Sequence, residues 1–435
     1  MAEDTVEQDA KQDVSTEQAE RHEEVVSIVL TSDNHLGYTA FRQHPRKREE
    51  LLRRLRRAFQ QATDFAIEHK VDLFIQAGDL FDTTTPDERD RSFVATRLAQ
   101  LKQAGVRAFA LGGVHDTPGE AQSLLGEAVL APQISYARLD ALHYFPPAPE
   151  EELEPVLLDV RDTKLGICAL GVLVGQEGDP LAHLQVKESL KDAAIPLLLL
   201  HAPIEGLANG SSLLDTRAMV SQESIAGQTL FRYILAGYHH SHYQLHLGQV
   251  DVVVAGATQH LDFSTPDHAP GFVYLGLAAD GIQWCKHIPV DTLLLQRLTI
   301  NTKELWSDDS AAAQQLPTEI ILEQLRPLCN ADTLLQLRLE GELTRGQYHQ
   351  LDLNQIRRYG EEHCFALAID DSVLSLLPEQ EAVSAETGER FSPREELIAL
   401  ADEWIADAPD EQEKKALQIT KEELLRAMDD MKGKR

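Results

Sequence analysis

Five short segments between residues 33 and 240 each close a run of apolar residues, and each carries histidine or aspartate. They read Asp33-Asn34-His35, Gly78-Asp79-Leu80-Phe81-Asp82, Gly113-Val114-His115-Asp116, His201 and Gly237-Tyr238-His239-His240. A polar group placed just after a buried strand sits at that strand's carboxyl end, where open α/β sheets gather their ligands. Carboxylates and imidazoles converging from several strand ends form the donor set of a hard or borderline divalent metal, and a bridging carboxylate could serve two such ions.

The order of elements agrees with such a sheet. The β-rich run Val25–Ser32 is followed by a helical pattern near Arg46–His69, then by Val71–Gln76, a helix near Ser92–Ala104, and Val106–Leu111. That alternation marks βαβ units. From about Val156 the chain turns strand-rich, with Val156–Val160, Leu165–Val172, Pro196–Leu200, Tyr233–Ala236, Val250–Ala255, Phe272–Leu277 and Gly281–Ile288 as candidates. The expected class is α/β, with two sheets packed face to face and helices outside, over residues 25–290. Residues 291–377 read as a small α+β unit that includes one helix over Gln347–Tyr359. Residues 378–390 read as an acidic linker, and residues 391–435 as terminal helices with Leu397, Leu400, Trp404 and Ile405 on one face. Such a stripe either docks on its own chain or receives a partner.

Composition narrows the partners. The formal net charge is −31, which argues against indiscriminate nucleic-acid binding. The charge is uneven, however: residues 1–24, read as a disordered leader, hold nine acids against two bases, and residues 379–435 hold sixteen against nine. One run goes the other way, with Arg42, Arg46, Lys47, Arg48, Arg53, Arg54, Arg56 and Arg57 following the first motif. It reads either as a solvated helix face or as a phosphate-contacting surface. No apolar stretch is long enough to span a membrane, and the amino terminus lacks a signal-peptide layout. The four cysteines, Cys168, Cys285, Cys329 and Cys364, show no CxxC spacing and are expected to be reduced cytoplasmic thiols.

Taken in order, the motifs Asp-x-His, Gly-Asp-x-x-Asp, Gly-x-His-Asp, His and Gly-x-x-His resemble those of the calcineurin-like metallophosphoesterases. "VDLFIQAGDLFD", "VRAFALGGVHD", "GATQHLDF" and "GFVYLGL" look like the SbcD nucleases, bacterial relatives of the Mre-eleven nuclease subunit. The resemblance implies a metallophosphoesterase sandwich with a capping domain at 291–377, cutting DNA through a metal-bound hydroxide. It implies one metal held by Asp33, His35, Asp79 and His240, with Asp79 bridging to a second held by His201. It places His115 beside the scissile phosphate with Asp116 to orient it, and it implies one or two manganese ions, magnesium being the alternative. Arg46, Lys47 and Arg48 become the candidate DNA contacts, and Leu397, Leu400, Trp404 and Ile405 the seat of an SbcC-type coiled-coil ATPase. A homodimer is also implied.

Two positions depart from the family's pattern. Val114 stands where the family has asparagine, and Tyr238 where it has histidine. Both would be ligands of the second metal, which is therefore expected to be weak or empty unless His239 or His242 substitutes. Besides an active nuclease, the sequence allows a catalytically weakened scaffold of the same fold that binds DNA and the ATPase. It also allows a phosphodiesterase of small nucleotides, against which the extra domain counts.

Overall fold

The computed structural model describes residues 25–119, 129–147, 152–207, 217–261, 263, 269–306 and 316–377. Beyond these it describes Ile405, Lys414, Leu417, Gln418, Thr420 and Lys421. The chain divides into two compact units, Met1–Leu376 and Leu377–Arg435.

In the first unit, apolar runs buried on both faces become the central strands, as parallel sheets covered on both sides require. Strand β1 (Val26–Thr31) leads to helix α1 (Pro45–Glu68), strand β2 (Leu73–Ala77), helix α2 (Glu88–Gln103) and strand β3 (Arg107–Leu111). A short helix α3 (Gln133–Arg138) precedes β4 (His143–Phe145). Then follow β5 (Val156–Val160), β6 (Thr163–Gly171), a short β7 (Glu177–Gly178) and β8 (Ile195–His201). Next come β9 (Arg217–Ala218), helix α4 (Gln222–Ala226), β10 (Tyr233–Gly237), β11 (Tyr243–Leu247), β12 (Val250–Val254), β13 (Gly271–Ala278) and β14 (Gly281–Pro289). One six-stranded sheet has the order β14-β13-β1-β2-β3-β4 and the other β11-β12-β10-β8-β6-β5. Strands β1, β2, β3 and β4 run parallel, as do β6, β8, β10 and β12.

Ile28, Ile75, Leu111 and Leu275 from the first sheet meet Ile167, Leu197, Leu199 and Tyr233 from the second in one core. The expected two-sheet α/β sandwich is therefore what the chain forms. Helix α1 buries Leu51, Leu55, Ala58, Phe59, Ala62 and Ala66 on the outer face of the first sheet. Proline at its first turn sets the helical φ without the loss of an internal hydrogen bond. Helix α2 starts four residues earlier than its apolar pattern suggests, because the Asp87 side chain accepts from Asp90 N at 2.9 Å and caps it.

The α+β part holds β15 (Leu294–Asn301), α5 (Pro317–Leu325), β16 (Thr333–Thr344), α6 (Arg345–Gln350), α7 (Leu353–His363), β17 (Ala366–Asp370) and β18 (Leu374–Leu377). The single helix expected over Gln347–Tyr359 is two helices. Leu351 is extended, and Asp352 caps α7 by accepting from Gln355 N at 2.8 Å. This part is not packed separately from the sandwich: Leu293, Leu295, Leu334 and Phe365 share the apolar cluster beneath α1.

The expectation of four separate thiols fails for one pair. Cys329 and Cys364, whose Cα atoms are 5.0 Å apart, form a disulfide, while Cys168 and Cys285 are free. The parallel pairing of β16 with β17 brings the two together across 35 residues of chain, which no local spacing could announce. Beyond Leu377 the six described positions are all helical. Leu397, Leu400 and Trp404, like the leader 1–24 and the linker 378–390, lie outside the described residues. No helix among the described residues is long and apolar enough to cross a membrane.

Candidate metal centre

The segments after β1 and β2 run side by side beyond the sheet. Asp33 N donates to Gly78 O at 3.0 Å, His35 N to Asp79 O at 3.1 Å, and Leu36 N to Leu80 O at 3.0 Å. This pairing turns Asp33, His35 and Asp79 toward one another, and all three have positive φ, 48°, 44° and 54°. Non-glycine residues held in that region mark over-determined, functionally used backbone. Close approach also needs glycine at position 113, where a Cβ would lie 2.1 Å from Asp79 Oδ1.

Asp79 is the hub. Its Oδ1 accepts from His115 N at 2.9 Å, and its Oδ2 stands 3.3 Å from His201 Nε2 and 3.8 Å from His35 Nε2. His201 is oriented by its other nitrogen, Nδ1, which donates to Ala77 O at 2.8 Å. His35 Nδ1 faces Asp82 Oδ1 at 3.1 Å. Asp33 Oδ2 accepts from Ser32 Oγ at 2.6 Å and from Tyr238 N at 3.0 Å. The His240 ring lies 5.4 Å from that of His35. Three overlapping sets bring donor atoms within 4.8 Å of one another: Asp33, His35 and His240; His35, Asp79 and His115; and Asp33, Asp79 and His201.

These residues fit a divalent ion on a direct observation. Asp33 Oδ1, His35 Nε2 and His201 Nε2 are buried and lack a hydrogen-bond partner. A buried polar atom without a partner costs about 1–3 kcal/mol, and three around one pocket call for a shared partner. The second nitrogen of each histidine is fixed by a carbonyl or carboxylate, as metal-binding imidazoles require.

The electrostatics agree. Burial pushes the Asp33 carboxyl up to about 6, with Asp79 adding to the rise and His201 and His35 opposing it. Burial alone would raise Asp79 as well, but the charges of His201, His35 and His115 hold it well below the usual carboxylate range. Burial disfavours the charged form of His201, yet Asp79 and Asp33 outweigh it and raise the imidazole to about 9. The same contest raises His35, through Asp82, Asp79 and Asp33. A metal must displace these protons. Manganese affinity is therefore expected to fall as pH drops, by about tenfold per unit or more below pH 6, where Asp33 and His35 both hold a proton in the metal-free protein. Calorimetric titrations between pH 5 and 8 would show it, and a flat profile would contradict this assignment of protons.

Several expected residues sit differently. The oxygens of Asp116 accept from Gly113 N at 2.9 Å, from Phe81 N at 3.1 Å and from Gln133 Nε2. Asp116 thus ties two loops together and does not orient His115. The carboxylate nearest the His115 imidazole is that of Asp82, 3.7 Å from Nδ1. From sequence alone Asp82 was given no role at the site. The signal was its place in the Gly-Asp-x-x-Asp segment, whose pairing with residues 33–36 turns positions 79 and 82 to the same side.

Val114 is buried in the apolar cluster with Leu170, Leu200 and Ala236, and Tyr238 packs on that cluster. His239 accepts from Ile204 N at 2.8 Å through Nε2, and His242 Nδ1 lies 2.7 Å from Val254 O with its ring stacked on His287. Neither is aimed as a substitute ligand. In the basic run, Lys47 Nζ donates to Glu361 O and Cys364 O at 3.0 and 3.2 Å. Arg53 pairs with Glu50, Arg54 with Glu50 and Asp332, Arg56 with Asp90, and Arg57 with Asp291. Arg46 and Arg48 are exposed and make no side-chain ion pair among the described residues.

Residues 26–224 match the calcineurin-like phosphoesterase family. The DNA double-strand break repair protein Mre11 of Saccharolobus solfataricus is 24% identical over 347 residues, 77% of this chain and 81% of that protein. The protein of the same name from Sulfurisphaera tokodaii is 30% identical over 103 residues, 24% of this chain and 25% of its own length. Among solved structures, a dimetal phosphatase from Danio rerio overlaps 58% of this chain and 93% of its own, with 14% identity and a TM-score of 0.33, too low to speak for the site. Residues 26–224 thus match a calcineurin-like phosphoesterase domain, and over most of its length the chain is similar to an Mre11 DNA repair protein.

Proposed function

We propose that the chain is a metal-dependent DNA nuclease, the hydrolytic subunit of a complex with an SbcC-type coiled-coil ATPase, acting in repair or processing of DNA ends. The observation that carries this reading is the trio of buried donor atoms without partners, Asp33 Oδ1, His35 Nε2 and His201 Nε2, around the carboxylate of Asp79. Asp33, His35, Asp79 and His240 would hold one ion, and Asp79 and His201 would begin a second site. When bound, such an ion acidifies water and polarises phosphoryl oxygens. Manganese suits this mixed oxygen and nitrogen set, with magnesium as the alternative.

The remaining tasks belong to side chains. His115, with 27% of its side chain exposed, is the donor placed to reach a phosphate from the open side. Burial lowers its pKa, with Asp79 and Asp82 opposing the change, and Asp82 is placed to steady the protonated ring. Of the three candidate DNA contacts, Arg46 and Arg48 are left for a DNA backbone, whereas Lys47 serves the joint with the α+β part. A homodimer and a cytoplasmic location belong to the same proposal.

One set of contacts favours a second reading, a scaffold that binds DNA and the ATPase but cuts weakly. Val114 and Tyr238 lie on an apolar cluster, and neither His239 nor His242 replaces them. The second site then has Asp79, His201 and the shared Asp33 only. Manganese calorimetry paired with cleavage of a labelled duplex separates the readings. The expected result is one tightly bound ion per chain and cleavage that stops on chelation. Binding without cleavage, even with the ATPase and ATP present, would favour the scaffold; no binding at all would sink both metal assignments.

A further inference from the structure

We infer that the Cys329–Cys364 disulfide is a reversible redox site that sets how firmly the α+β part is held against the segment following Asp33-Asn34-His35. Cys329 follows α5 and donates its N–H to Leu325 O, and Cys364 ends α7 and donates to Gly360 O. The bridge therefore fastens the carboxyl ends of two helices of that part's own core. It also lies at the joint. Cys364 O and Glu361 O are the two acceptors of Lys47 Nζ, which reaches over from the first turn of α1. The next residue, Phe365, sets its ring edge-on to Phe41 at 5.3 Å and donates its N–H to Thr333 O. Phe41 belongs to the stretch between the first metal motif and α1, so the half-cystine at 364 is within three residues of each of these contacts.

Access and chemistry fit exchange at this pair. Cys329 is partly buried and the more accessible of the pair, whereas Cys364 is buried. Burial pushes the other two thiols up, Cys168 to about 12 and Cys285 to about 11, so neither competes as a thiolate near neutral pH. The co-reactant is a dithiol. Its thiolate attacks one bridge sulfur, the Cys329–Cys364 bond breaks, and a mixed disulfide forms. The reductant's second thiol then displaces the protein sulfur. Two electrons pass to the pair, each cysteine takes up a proton, and the reductant leaves as its own disulfide. In the cytoplasmic location proposed above, a disulfide is more often a sensor than a staple.

The test uses the full chain, with dithiothreitol as the dithiol. Thiols are counted by alkylation of the denatured protein, and amide hydrogen exchange is followed with and without the reductant. Two reactive thiols before reduction and four after are expected. So is exchange around Cys364, Phe365 and the start of α1 that quickens on the order of thirtyfold, with β8 and β10 unchanged. Cys329→Ser should show the quickened pattern from the outset and no further response to dithiothreitol. If that variant does not fold, the wild-type comparison decides alone. Four thiols before reduction, exchange indifferent to the reductant, or equal quickening in β8 and β10 would each overturn the inference, the last by making the bridge a general staple.

Discussion

Asp79→Asn is expected to lower DNA cleavage by on the order of 10⁴ and to abolish tight manganese binding, while leaving the chain folded. Asparagine keeps the shape of the side chain, and its carbonyl oxygen can still accept from His115 N, as Asp79 Oδ1 does at 2.9 Å. What it removes is the negative charge that faces His201 Nε2 at 3.3 Å and His35 Nε2 at 3.8 Å. Asp79 also shares one donor set with His35 and His115 and another with Asp33 and His201, whereas Asp33, the other carboxylate in two sets, does not join the set with His115. Without Asp79 the remaining imidazoles and Asp33 offer a cation one negative charge fewer and too few donors on either side. Calorimetry with manganese, cleavage of a labelled duplex and a thermal melt of wild type and variant make the comparison. Retained cleavage with an unchanged melt would remove Asp79 from the centre of the site.

Much of the architecture was legible because the strands that matter are buried on both faces. Val26–Thr31, Leu73–Ala77, Ile195–His201 and Tyr233–Gly237 are near-continuous apolar runs, and each stops where a polar motif begins. β11 carries a weaker signal: Tyr243, Leu245 and Leu247 alternate with Gln244 and His246 over only five residues, none of them fully buried. Which residues gather at the pocket was legible, but their directions were not. Tyr238, at φ 79°, breaks the strand's alternation, so that His239 turns to Ile204 while His240 stays near His35. The exchange of roles between Asp82 and Asp116 has the same origin, since direction beyond a strand end depends on loop pairing and not on spacing. The basic run divides for a different reason. Besides its helix neighbour Glu50, Arg54 meets Asp332, and Arg57 meets Asp291, acids brought alongside only by the docking of the α+β part.

The backbone at the pocket is constrained as tightly as its side chains, and Gly78→Ala should show it. Gly78 has φ +98°, and a Cβ there would stand 2.0 Å from His201 Nδ1, the atom that donates to Ala77 O. Two costs combine. An L-residue in that conformation costs about 1–3 kcal/mol, and forcing a methyl against a packed, fully buried ring costs about as much again. A loss of roughly 4 kcal/mol of stability is expected in urea unfolding, together with a marked fall in manganese affinity as His201 is pushed from its carbonyl. Gly105→Ala is the internal control, because Gly105 has φ +82° but nothing within 4 Å of its Cβ position. It should carry the conformational cost alone, about 1–2 kcal/mol, and leave metal binding unchanged. Equal losses in the two variants would mean that backbone conformation, and not the approach of His201, is what reserves position 78 for glycine. A larger loss at 78 that spares metal binding would mean that His201 lies outside the ion's coordination.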